Sequence, residues 1–92
     1  MKAIYILTKS YELNDVPQYS NEPSTFALTK KEAEEILANS LEHFKRLHAD
    51  EGFEVLGYDD RHLHFRYYTD NGESEHDETI WVTRVLHGTW AW

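Results

Sequence analysis

The chain opens on a short apolar run, Ala-Ile-Tyr-Ile-Leu-Thr at residues 3 to 8. Ile4 and Ile6 project to one side, Tyr5 and Leu7 to the other, which predicts an interior strand covered on both faces. From Tyr11 to Thr25 the alternation dissolves among Asn14, Asp15, Pro17, Asn21 and Pro23. Two prolines and several turn formers predict a loop there, with at most a short strand at Thr25 to Leu28. Then the period changes. Ala33, Ile36, Leu37, Leu41, Phe44 and Leu47 recur at three- and four-residue spacing, with Ser40 on the same stripe, the mark of an amphipathic helix. Thr29-Lys30-Lys31-Glu32 reads as a capping box, with Leu28 and Ala33 placed as a hydrophobic staple. Glu34, Glu35, Glu42, Lys45 and Arg46 fill the opposite face, and Glu42 and Arg46 stand at i,i+4. Gly52 is the expected stop, giving a helix from about Lys30 to Asp50.

Three strand-like segments follow. Phe53 to Tyr58 is bounded by Gly52 and by Asp59-Asp60-Arg61. His62 to Thr69 alternates, with Leu63, Phe65 and Tyr67 against His62, His64, Arg66 and Tyr68. Asp70-Asn71-Gly72 is a turn signal. In Thr79 to Leu86, Trp81, Thr83 and Val85 alternate with Ile80, Val82 and Arg84, and either set suits a core. Short connections make these three an antiparallel meander. The expected fold is α+β: one domain over residues 1–92, with one helix on a four- to five-stranded, mostly antiparallel sheet.

Composition narrows the function. Nine basic residues against 17 acidic leave a net charge of −8. That balance argues against direct, sequence-general nucleic-acid binding and against extended contact with anionic lipid. No apolar run approaches a membrane span and no signal-peptide pattern opens the chain, so a cytoplasmic protein is expected. The absence of cysteine excludes disulfides, thiolate metal sites and a cysteine nucleophile. No nucleophile elbow, phosphate loop or zinc-protease motif is present, which favours a non-enzymatic protein without a cofactor.

The charge is uneven. Residues 1 to 31 carry four lysines against three carboxylates. The acidity lies later, around Asp50, Glu51, Glu54, Asp59 and Asp60, and again from Asp70 to Glu78. A meander brings Asp50, Glu51, Asp70, Glu73, Glu75, Asp77 and Glu78 to one edge, where the helix C-terminus adds partial negative charge. Such an edge suits a cationic partner or a metal ion; a solubilising surface is the plainer reading. Asp70 to Glu75 is oxygen-rich but lacks EF-hand spacing.

Among six histidines, His62 and His64 project from one sheet face, and His87 approaches the Asp59 to His62 turn. A trio of His62, His87 and Asp59 or Asp60 is the best metal-ligand set, more plausible than one with His76. It underlies the alternative of a small metal-dependent enzyme on the His62/His64/His87 face. Packed, polar histidines are the simpler expectation, so no metal is assigned. Trp90 and Trp92 end the chain beyond Gly88. They are expected either to cover the open sheet face near His64 and Arg66, or to anchor a partner or homodimer. The second alternative is therefore a structural, homo-oligomeric accessory protein.

The opening Met-Lys-Ala-Ile-Tyr-Ile-Leu-Thr-Lys-Ser-Tyr, the proline-broken segment and Phe-Ala-Leu-Thr-Lys-Lys-Glu-Ala-Glu-Glu-Ile resemble short acidic phage and prophage accessory proteins. The resemblance covers about the first third of the chain and brings no catalytic residues. It implies the class of host-defence inhibitors that includes anti-CRISPR proteins and DNA mimics. The expected function is accordingly a protein-binding module that occupies a basic, nucleic-acid-binding surface of a host protein. Its expected contact residues are the seven carboxylates with Trp90 and Trp92.

Overall fold

Alternation and turn chemistry together build a single antiparallel sheet in the computed structural model, which describes residues 3–86. The elements are β1 (Ala3–Leu13), β2 (Val16–Ala27), α1 (Lys30–Leu47), β3 (Glu54–Tyr58), β4 (His62–Thr69) and β5 (Ser74–Leu86). A 3₁₀ turn at Asp70–Gly72 joins β4 to β5. The sheet order is β2-β1-β5-β4-β3. The fold is α+β, with one helix on a five-stranded antiparallel sheet, and β3, β4 and β5 form the expected meander.

The segment expected to be a loop is instead β2. Asn14 and Asp15 take φ of 51° and 64°, and Leu13 pairs with Val16. Two consecutive positive-φ residues make the tight turn that matches strand twist. The prolines are accommodated because β2 is an edge strand, where a missing amide donor is tolerated. Pro23 and Pro17 pair with Thr8 and Glu12, each beside a register shift. The hairpin also lengthens β1 well past Thr8.

At the start of α1, Thr29 Oγ1 accepts from the Glu32 amide at 3.1 Å. The Glu32 carboxylate reaches back to the Leu28 amide at 3.0 Å. The box therefore forms, although Leu28 itself remains exposed. The helix ends at Leu47, earlier than expected, because the His48 amide closes the last turn on the Phe44 carbonyl. Gly52 (φ +64°) ends the following turn rather than the helix. Arg46 Nε donates to the Glu42 carbonyl rather than its carboxylate.

The core lies between the helix and one sheet face. Leu7, Ala27, Ala33, Leu37, Leu63, Phe65, Tyr67 and Ile80 are buried there, with Tyr5, Ile36, Leu41, Phe44, Phe53 and Val82 packed around them. Leu47, the last stripe position, is exposed. This packing fixes the register of β5: Ile80 and Val82 face the helix, so Trp81, Thr83 and Val85 lie on the other face. β1 is interior in its pairing, and among the described residues it is packed on the helix face only, where cover on both faces was expected. No described helix is long and apolar enough to cross a membrane.

Candidate functional site

The end of the sheet that collects the acidic groups is built by three connections: the Asn14-Asp15 turn, the segment after α1, and the Asp70–Gly72 turn. Backbone bonds tie them together. The Asn14 amide donates to the Glu75 carbonyl at 2.8 Å, and the Tyr68 amide to the Glu51 carbonyl at 2.7 Å. The Glu75 amide donates to Asn14 Oδ1 at 2.8 Å. Asp50, Glu51 and Asp70 line one shallow depression with Gly52, Tyr68 and Thr69. The helix C-terminus lies at the same end, His48 stacking on Tyr67, and brings the negative pole of its dipole there.

The seven expected carboxylates reach this region in two different roles. Asp50, Asp70 and Glu73 are exposed, and none is ion-paired among the described residues. Asp70 Oδ2 accepts from the Ser74 hydroxyl at 2.7 Å. The other four are engaged internally. Glu51 bonds His48 Nδ1, and Glu78 accepts from the Tyr67 hydroxyl at 2.6 Å. Glu75 and Asp77 both meet Arg66 Nε, at 2.7 Å and 2.9 Å. Asp77 is the buried charged residue of the described chain, 8% exposed. Its hydrogen bond to Arg66, reinforced by the charges of Asp77 and Glu75, holds the guanidinium protonated well above its ordinary range.

Asp15 and Glu12 join the acidic end and were not expected there. Reading the Asn14-Asp15 pair as a hairpin turn was the signal that could have placed them. Carboxylate oxygens of Glu12, Asp15 and Asp77 lie within 4.8 Å of one another. They sit in a cleft on the helix-free sheet face with Ser10, His64, Arg66 and Thr79. Arg66 already neutralises the deepest of the three.

On the helix face a column of rings supports this end. His76 stacks on Tyr67 at 4.6 Å, and Tyr67 on His48 at 3.6 Å between centroids. His76 Nδ1 meets the Tyr11 hydroxyl and Nε2 the Thr69 hydroxyl, both at 2.7 Å. Burial, then the hydrogen bond to Glu78, pushes the Tyr67 hydroxyl well above its ordinary pKa. These histidines are structural members of the column.

His62 and His64 do share the helix-free face, but their partners differ. His62 Nδ1 lies 3.1 Å from Asp59, its ring stacked on Trp81. His64 Nε2 lies 3.7 Å from Asp77. Pairing places His62 opposite Trp81 and His64 opposite Thr79. Asp59 Oδ1 accepts from the Arg61 and His62 amides, at 2.7 Å and 3.0 Å, and these bonds hold its carboxyl below its ordinary pKa. Among the described residues the close group of ligand-type atoms is Glu12, Asp15 and Asp77, and it contains no histidine. His87, Trp90 and Trp92 lie outside the described residues.

The chain matches no family model, no curated protein and no solved structure.

Proposed function

We propose that the protein is a non-enzymatic binding module whose acidic end docks on a basic, nucleic-acid-binding surface of a cytoplasmic protein. The observation that carries this reading is the convergence of Asp15, Asp50, Asp70 and Glu73 from three connections at one end of the sheet. No ion pair engages any of them among the described residues. Like charges held together this way repel, and a cationic partner relieves that repulsion. A surface of fixed carboxylates competes with phosphates for the same lysines and arginines. It accelerates encounter with a basic protein more than it raises intrinsic affinity. The resemblance of the first third to phage accessory proteins points to the same class, an inhibitor that works by occupancy.

The test is capture of partners from nuclease-treated cell extract. The wild type is compared with an Asp15→Lys/Asp50→Lys/Asp70→Lys/Glu73→Lys variant. Nucleic-acid-binding proteins should be retained by the wild type, displaced by added duplex DNA, and lost by the variant. Equal retention by both proteins removes the acidic end as the docking surface.

A further inference from the structure

Among the described residues nothing packs on the sheet face opposite the helix, and its composition changes steadily along the strands. Pairing defines its rows. At one end Ile4 lies beside Val85, and Phe26, Ile6 and Thr83 form the next row. Thr8, Trp81 and His62 follow, then Ser10, Thr79 and His64. The far rows are acidic: Glu12, Asp77 and Arg66, with Glu54 opposite Arg66 on β3, and finally Glu75. Phe26 is 63% and Trp81 46% exposed. From Ile4 to Glu12 and the turn beyond, the face runs about 30 Å at the usual rise per residue of a strand.

We infer that this face is the seat of an amphipathic helix of the partner, apolar along its length and basic at one end. The inference rests on the proposed function and specifies the element of the basic partner that docks. A helix of about 20 residues matches the length of the face, and covering a bare sheet face with a helix completes a layered packing. The apolar rows receive the hydrophobic stripe. The acidic rows, where exposed Glu12 and Glu54 flank the Arg66 ion pairs, receive its lysines or arginines. Exposed Glu12 lies beside the Asp15 turn, so the acidic rows run into the acidic end.

A second copy of the chain fits this face poorly. Two such faces stacked about a two-fold axis along the strands bring acidic rows onto acidic rows. An axis across the strands sets acidic rows against Phe26 and Ile6. Either arrangement buries unpaired carboxylates, which is costly.

The test uses backbone amide NMR of the full chain with two synthetic amphipathic helices. One has a leucine stripe and lysines gathered at one end; the other has glutamates in place of the lysines. The lysine peptide should shift the amides of Ile6, Thr8, Trp81 and Thr83, and the glutamate peptide should not. Phe26→Asp and Glu12→Lys, both at exposed positions, should each weaken binding about tenfold or more. Shifts confined to the Asp15, Asp50 and Asp70 turns overturn this inference while leaving the acidic-end reading intact. Loss of lysine-peptide binding in the four-residue reversal variant but not in Phe26→Asp has the same meaning. Equal binding of both peptides, no shifts at all, self-association through the same amides, or proximity of Trp90 or Trp92 to Ile6 in the free chain would each overturn it.

Discussion

Arg66 and Asp77 face each other across β4 and β5, with Arg66 Nε donating to Asp77 Oδ1 at 2.9 Å. A second bond runs from Nη2 to Oδ2 at 3.4 Å. The pair converts a buried carboxylate in an acidic neighbourhood into a neutral strut of the sheet. Asp77→Ala should therefore destabilise, by about 2 kcal/mol in denaturant melts. That is less than the roughly 3–5 kcal/mol of a fully buried pair, because the Arg66 side chain is 29% exposed and partly screened. No measurable loss would show that the pair does not hold these strands.

Phe65 is fully buried and stacks on Phe44, at 4.8 Å, and against Phe53. Phe65→Ala should cost about 3–5 kcal/mol, which leaves little of the ~5–14 kcal/mol expected for a domain of this length. A loss under about 1 kcal/mol would contradict the packing of α1 on the sheet.

The capping box is a smaller lever. Thr29→Ala removes the acceptor for the Glu32 amide and should lower stability by about 1 kcal/mol. Thr29→Ser should retain most of it, which separates the cap from side-chain packing.

Tyr67 sets an alkaline limit. Its folded-state pKa is raised, by burial first and then by Glu78. The stability this contributes is intact below the unfolded value of about 10 and falls as pH rises above it. Thermal melts should therefore drop steeply above about pH 10, and less so in Tyr67→Phe. Tyr11 and Tyr19, also raised by burial and by Glu78, keep part of the slope in that variant. An unchanged slope would remove Tyr67 as a main contributor.

The helix, the meander and the turn at Asp70 were legible because period, cap and turn chemistry agree there. β2 was hidden because Pro17 and Pro23 read as strand breakers, whereas an edge strand with register shifts tolerates both. Missing that hairpin also hid Glu12 and Asp15, which reach the acidic end only when β1 extends to Leu13. The convergence of Asp50, Asp70 and Glu73 followed from topology alone. Pairing of Glu75 and Asp77 with Arg66, and of Glu78 with Tyr67, depends on which face of β5 meets the helix. That choice is made by the burial of Ile80 and the packing of Val82, since the alternation in β5 suits either face.

In the proposed function, exposed carboxylates at one end of the sheet, and not those engaged internally, bind a basic partner. This is tested most directly by measuring affinity for a captured nucleic-acid-binding protein at about 50 and 200 mM salt. The wild type is set against the Asp15→Lys/Asp50→Lys/Asp70→Lys/Glu73→Lys variant, with melting temperature measured on both. Wild-type affinity should fall steeply with salt, and binding should be lost in a variant at least as stable as the wild type. Undiminished, salt-insensitive binding by the stable variant would contradict the proposed function.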